Sequence, residues 1–246
     1  VRTIERFADA ETLQQAAAKR IVDLLREAIA QRRKGTIALS GGSTPKAIYE
    51  LLAEEPFRSH VDWSRVHFFW GDERCVPPTH ADSNYRMTNI ALLEKIEIPD
   101  ANIHRVEAER APNEAARLYE GELRKCFSLK QNEFPRFDVL LLGIGEDGHT
   151  ASLFPETAIL NKTKRSVAEV FVPKFNAYRI SMTFPTINNS RTILFLVSGA
   201  SKTKILQEVL EGAPNRFPAQ RIQPTSGKLF WFVDDTAATQ LTEGRA

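Results

Sequence analysis

The sequence predicts an α/β protein: a mainly parallel sheet flanked by helices on both faces. Three observations lead there. Short apolar runs alternate with amphipathic segments of helical period, and several runs are apolar on consecutive positions, as strands covered on both faces are. Three polar loops rich in Gly, Ser or Asp follow such runs, at the carboxyl ends of strands where open α/β sheets bind ligands. With 246 residues, 42% of them apolar, the chain can bury a large core. The sequence contains no internal repeat, low-complexity tract or long linker, so residues 1–246 are expected to form one domain.

The first helix is expected over residues 10–34, where Leu13, Ala16, Ala17, Ile21, Leu24, Leu25, Ala28 and Ile29 recur at helical spacing and Gly35 offers a stop. The Arg32-Arg33-Lys34 tail suits the negative end of a helix dipole. Further helices are expected over 45–54, 84–95, 113–127 and 201–211. Strands are expected over 36–40, 66–70, 137–143, 167–172, 180–184, 192–197 and 229–233. Residues 213–227 are rich in Pro, Asn and Gln, and the run after them reads as a strand returning to the same sheet.

Composition narrows the function. Thirty-three Lys and Arg against 31 Asp and Glu leave a formal charge of +2, too balanced for a nucleic-acid partner. Cys75 and Cys126 form no CxxC or Cys/His cluster in sequence, so neither a disulfide framework nor a zinc site is expected. No apolar run approaches the ~20 residues of a membrane span. Arg2, Glu5, Arg6 and Asp9 stand where a signal peptide would turn apolar, so a cytoplasmic protein with no membrane partner is expected.

The first loop is Ser40-Gly41-Gly42-Ser43-Thr44-Pro45. Its glycines allow close backbone approach, its hydroxyls suit capping, and the following helix start would face an anion such as phosphate. The same residues also suit a tight strand-to-helix turn. No Gly-Lys-Ser/Thr follows, so this is not a nucleotide P-loop. Pro45 replaces the last glycine of a nucleophile elbow, which leaves a serine nucleophile as a minor alternative.

The second loop, Gly71-Asp72-Glu73-Arg74, places two acids and a base after an apolar strand. It can orient a catalytic group or grip substrate, and it can equally be a solvated turn with a local ion pair. In the third loop, Gly143-Ile-Gly145-Glu-Asp147-Gly148 satisfies GxGxxG. Carboxylates at Glu146 and Asp147 occupy the turn that a pyrophosphate needs, and Pro155 cuts short the helix that should follow, so a dinucleotide is not expected.

His149, next in line, is the candidate general base or acid, with Asp147 two residues upstream as a possible support. His60, His67, His80 and His104 are expected to be surface or hydrogen-bonded core residues. Arg179 and Lys202 are candidate phosphate-binding cations.

Together, Leu39 through Pro45, Trp70-Gly-Asp-Glu-Arg-Cys-Val-Pro77 with Ser83-Asn84-Tyr85, Gly143 through Pro155, Ser198-Gly-Ala-Ser-Lys202 and Gly227 through Asp234 resemble the glucosamine-6-phosphate isomerase/6-phosphogluconolactonase family, on its lactonase side. The resemblance implies a modified Rossmann-like three-layer sandwich of the sugar-phosphate isomerase/deaminase type. It further implies hydrolysis of a 6-phosphogluconolactone in the oxidative pentose phosphate pathway, without cofactor or metal and without an obligate protein partner. The deaminases typically place a glutamate where this chain has Phe154, and hydrolysis is therefore favoured over deamination.

The expected catalytic residues are His149, Asp72 and Asp147. Ser40, Gly41, Gly42, Ser43, Thr44, Arg74, Arg179 and Lys202 are expected to bind the substrate. A sugar-phosphate sensor is the non-enzymatic alternative, although the first helix reads as part of the α/β unit and not as a DNA reader.

Overall fold

The computed structural model describes residues 2–242; residue 1 and residues 243–246 of the expected domain lie outside them. The chain opens with β1 (Arg2–Phe7) and α1 (Ala10–Arg32). Asp9 starts the helix, its carboxylate accepting the Thr12 N–H at 2.8 Å while Thr12 Oγ1 accepts the Asp9 N–H at 3.2 Å. The apolar stripe Leu13, Ala17, Ile21, Leu25 and Ala28 is buried. The expected stop at Gly35 is two residues late: Arg33 caps the helix in the left-handed region, φ 63°, donating to Ile29 O at 2.8 Å. Gly35 instead opens β2 (Gly35–Leu39), where a Cβ would come 3.0 Å from the Leu25 side chain.

The next elements are α2 (Ser43–Leu52), β3 (Val66–Trp70), β4 (Asp72–Arg74), α3 (Asn84–Ala91), α4 (Pro112–Cys126) and β5 (Val139–Leu142). After them come β6 (Val167–Val172), β7 (Ala177–Met182), α5 (Phe184–Asn188), β8 (Thr192–Val197), α6 (Thr203–Glu211) and β9 (Lys228–Asp234). Six strands form one parallel sheet in the order β1-β9-β8-β5-β2-β3. β4, β7 and β6 form a separate antiparallel sheet.

The expected parallel sheet with flanking helices is present, and four details differ. β1 was not expected because Arg2, Glu5 and Arg6 hide its period; the charges are accommodated at the sheet edge, where Arg20 of α1 pairs with Glu5 at 3.0 Å and Arg6 with Asp235 at 3.1 Å. The acids of the second loop form strand β4. The 167–172 run and its partner make a hairpin outside the main sheet, and β7 begins three residues before the expected position because exposed Ala177 and Tyr178 give no apolar signal. α2 begins at Ser43, so Pro45 is its third residue and not its first.

Phe68, Phe69, Trp70, Phe137, Phe195 and Phe232 are fully buried, and one apolar cluster continues from the main sheet into Val170, Ile180 and Met182 of the second. Each such side chain contributes about 1.5–3 kcal/mol by leaving water. No described helix is long and apolar enough to cross a membrane.

Two features position a site. The chain runs from β2 outward to β3 and then returns to β5 on the other side of β2, so the carboxyl ends of β2 and β5 flank a topological switch point. Gly71 joins the two sheets above it, donating to Leu39 O at 2.9 Å and accepting from Met182 N at 2.8 Å.

Candidate active site

At the switch point lies a cavity of about 240 Å³, lined by Ser40, Gly41, Gly42, Asp72, Arg74, Gly143, Ile144, Gly145, His149, Thr150, Ala151, Arg179 and Lys202. Cavities of about 470 and 550 Å³ occur elsewhere, but neither gathers a histidine with a carboxylate and several cations. Eight of the eleven residues expected from sequence line the small cavity. Asp147 stands behind His149, while on the first turn of α2 Ser43 is exposed and Thr44 half-buried.

The first loop is set by Gly42, whose φ of 113° suits glycine alone. No side chain caps α2, so the first backbone N–H groups of the helix keep their capacity for an anion. Tyr49 fixes the preceding residue from inside the core: its hydroxyl donates to Ser40 O at 2.9 Å and accepts from Ser40 N at 3.0 Å. Gly41 lies against α3, where a Cβ would fall 2.1 Å from Asn84 Oδ1.

The second loop is anchored by Glu73, a buried carboxylate accepting the N–H groups of Arg74, Asn84 and Tyr85 at 2.8 Å each and the Ser83 hydroxyl at 3.1 Å. Burial pushes its pKa up despite these donors. Alternation along β4 then turns Asp72 and Arg74 to the opposite side, toward the cavity. Asp72 accepts the Ser152 hydroxyl at 2.6 Å, and Arg74 and Arg179 are register partners on β4 and β7. The buried atoms without a hydrogen-bond partner among the described residues are five, and three of them, Ser40 Oγ, Arg74 Nε and Arg179 Nε, belong to this cavity.

In the third loop Gly145 N donates to His149 O at 2.9 Å, and the turn closes on the imidazole. A Cβ at Gly145 would sit 2.0 Å from that ring. His149 Nδ1 donates to Asp147 in a very short hydrogen bond, and Lys174 holds the other Asp147 oxygen at 3.4 Å. Because a carboxylate only accepts, Nδ1 carries the proton and the Nε2 lone pair is left for the cavity. Phe154 stacks on the imidazole at 3.9 Å.

Burial lowers the His149 pKa, an effect partly opposed by Asp147 and Asp72. Burial would raise Asp147, but the bond to His149 brings it below its ordinary value. Burial also lowers Arg179, against the pull of Asp72.

The Lys202 loop depends on a residue to which the sequence assigned no role. Buried Asp234, at the end of β9, accepts the Ser198 hydroxyl, the Gly199 N–H at 3.1 Å and the Ala237 N–H at 2.7 Å. Phe154, Ser152, Asn84 and Glu73 were likewise unassigned. Each was quoted in a motif, but their contacts join loops up to 80 residues apart.

Fold and cavity together define an α/β enzyme class in which an oriented imidazole and an uncapped helix N-terminus meet at the switch point of a parallel sheet. Residues 8–231 match the family described as glucosamine-6-phosphate isomerases/6-phosphogluconolactonase, and the chain belongs to that family. It is similar to a 6-phosphogluconolactonase of Synechocystis sp., 46% identical over 87% of this chain and 88% of that protein. A 6-phosphogluconolactonase of Nostoc sp. is 39% identical over 98% of this chain and 99% of its own. Among solved structures, the 6-phosphogluconolactonase of Trypanosoma cruzi superposes with a TM-score of 0.87 at 30% identity, covering 98% of this chain and 97% of that one.

Proposed function

We propose that the chain hydrolyses 6-phospho-D-glucono-1,5-lactone to 6-phospho-D-gluconate, the lactonase step of the oxidative pentose phosphate pathway. The observation that carries this reading is the His149–Asp147 pair, walled by Phe154 and facing an anion-binding turn across one cavity. The family's lactonases support the choice of substrate.

In this reading the N-terminal turn of α2, with Ser40 through Thr44, binds the phosphate together with Arg179 and Lys202. Ser43 and Thr44 contribute backbone N–H groups. Remote binding energy thereby fixes the lactone ring. His149 Nε2 takes a proton from water as the water oxygen bonds to the lactone carbonyl carbon. The resulting oxyanion is met by Arg74, and when the ring C–O bond breaks, His149 returns the proton to the departing ring oxygen. Asp147 holds the tautomer and stabilises the transient imidazolium; Asp72 orients a substrate hydroxyl. Water, imidazole and guanidinium suffice for this chemistry, so neither metal nor cofactor enters it.

We read residues 1–246 as one unit acting on a small molecule in the cytoplasm, a reading supported by the continuous core and by two free thiols that suit a reducing compartment.

The test is a coupled assay on freshly generated lactone, with spontaneous hydrolysis subtracted and glucosamine 6-phosphate supplied in parallel. Lactone turnover well above background is expected. Turnover at the background rate, or ammonia release from the amino sugar, overturns the reading.

A further inference from the structure

His67, His104 and Cys126 are 37 and 22 residues apart in sequence, yet their ligand atoms lie within 4.8 Å of one another. Their spacing along the chain does not reveal this cluster. Three elements bring it together: His67 is the second residue of β3, His104 follows a segment held beside that strand by its N–H to Phe68 O at 2.9 Å, and Cys126 ends α4. The cluster lies at the amino-terminal end of the edge strand, whereas the cavity lies beyond the carboxyl ends, on the order of 16 Å further along the chain.

Its hydrogen bonds fix the tautomers. His104 Nδ1 faces Glu122 Oε1 at 2.8 Å, and a carboxylate only accepts, so Nδ1 carries the proton and Nε2 keeps its lone pair. His67 Nδ1 meets that Nε2 at 2.9 Å, and Cys126 Sγ lies 4.0 Å from the same atom. Thus two ring nitrogens and a sulfur converge on one point, and one imidazole is backed by a carboxylate as metal-bound histidines usually are. Phe69 supports the His104 ring face to face at 4.3 Å. His67 and Cys126 are half-exposed, which gives an ion access and leaves room for a water ligand.

We infer that His67 Nδ1, His104 Nε2 and Cys126 Sγ form a Zn²⁺-class site, with Glu122 buttressing His104 and water as fourth ligand. Around a tetrahedral zinc, such N and S atoms stand roughly 3.3–3.6 Å apart. The present N···N and S···N separations, 2.9 and 4.0 Å, straddle that range, so small side-chain rotations close the site. Thiolate with imidazole selects zinc over magnesium or calcium. On binding, the thiol gives its proton to solvent and the sulfur bonds to the ion. His67 moves its proton from Nδ1 to Nε2, so one proton is released in all. The ion would clamp the end of α4 to the edge strand, away from the catalytic cavity.

The test is zinc titration of the purified, chelator-treated full chain by calorimetry, paired with cobalt absorption spectra. One Zn²⁺ per chain and a thiolate-to-cobalt charge-transfer band are expected. His67→Gln and Cys126→Ser should each abolish stoichiometric binding, Cys126→Ser should abolish the band, and Glu122→Gln should weaken binding about 10–100-fold. Lactone turnover serves as the folding control and should be unchanged in all three variants and after chelation. No stoichiometric binding by the wild type, or binding that survives both ligand substitutions, overturns the inference.

Discussion

His149 is pulled in two directions, and the balance sets its chemistry. Burial, including the face of Phe154, favours the neutral ring, while Asp147 favours the charged one; burial is the larger effect, and the pKa lies below the ordinary value of 6.5. The proposed general base works when neutral, so the acid limb of kcat/KM, which reports the free enzyme, should have its midpoint below pH 6.5. A pH–rate profile with its acid limb above 6.5 would contradict this. Phe154→Ser admits water and should move the limb toward higher pH. Asp147→Asn removes the carboxylate that raises the pKa, so the limb should move lower while kcat falls through loss of the oriented tautomer. His149→Ala should cost about 10²–10⁴-fold in kcat with KM little changed, measured against the spontaneous rate. Gly145→Ala places a methyl in the space of the imidazole and should lower kcat more than it raises KM. The histidine was legible in the sequence as a residue after a glycine turn. Its apolar wall was not, because Phe154 marked only a missing glutamate.

At the level of elements, loops after β2, β3, β5 and β8 converge because their strands are parallel neighbours or lead into the hinge at Gly71. Periodicity located most strands and helices, since their faces are uniformly apolar. It failed at β1, β4 and the start of β7, where charged or exposed residues are stabilised by partners distant in sequence. The three loops and the two cations were recognisable as motifs; the scaffolding by Glu73 and Asp234 was not, because a buried carboxylate looks like any other in sequence. Asp234 bears directly on Lys202. Asp234→Ala removes the acceptor for three donors and should loosen the phosphate grip, raising KM several-fold with a smaller effect on kcat. Steady-state kinetics on the lactone decide this, and an unchanged KM would remove Asp234 from the binding loop's support.

Across the whole molecule, the apolar cluster runs through both sheets without a break. Chains of this length often unfold through intermediates, but a shared core should make the sheets melt together. Urea unfolding followed by far-ultraviolet circular dichroism and by tryptophan fluorescence should give coincident midpoints; separated midpoints would show that the sheets unfold independently. Leu141→Ala, in the fully buried centre of β5, should lower stability by about 2–5 kcal/mol by either probe.

The order of the strands also dictates a timetable during synthesis. Among the described residues β1 pairs in the sheet with β9 alone, which lies about 220 residues later in the chain. At roughly 5–20 residues per second, a ribosome takes on the order of 10–45 s to make that partner. Until then the first strand waits unpaired, and the Lys202 loop lacks the carboxylate of Asp234 that holds it. A nascent chain therefore carries His149 and the turn before α2 well before the Lys202 loop has its support, so in the proposed reading the phosphate grip must wait for β9.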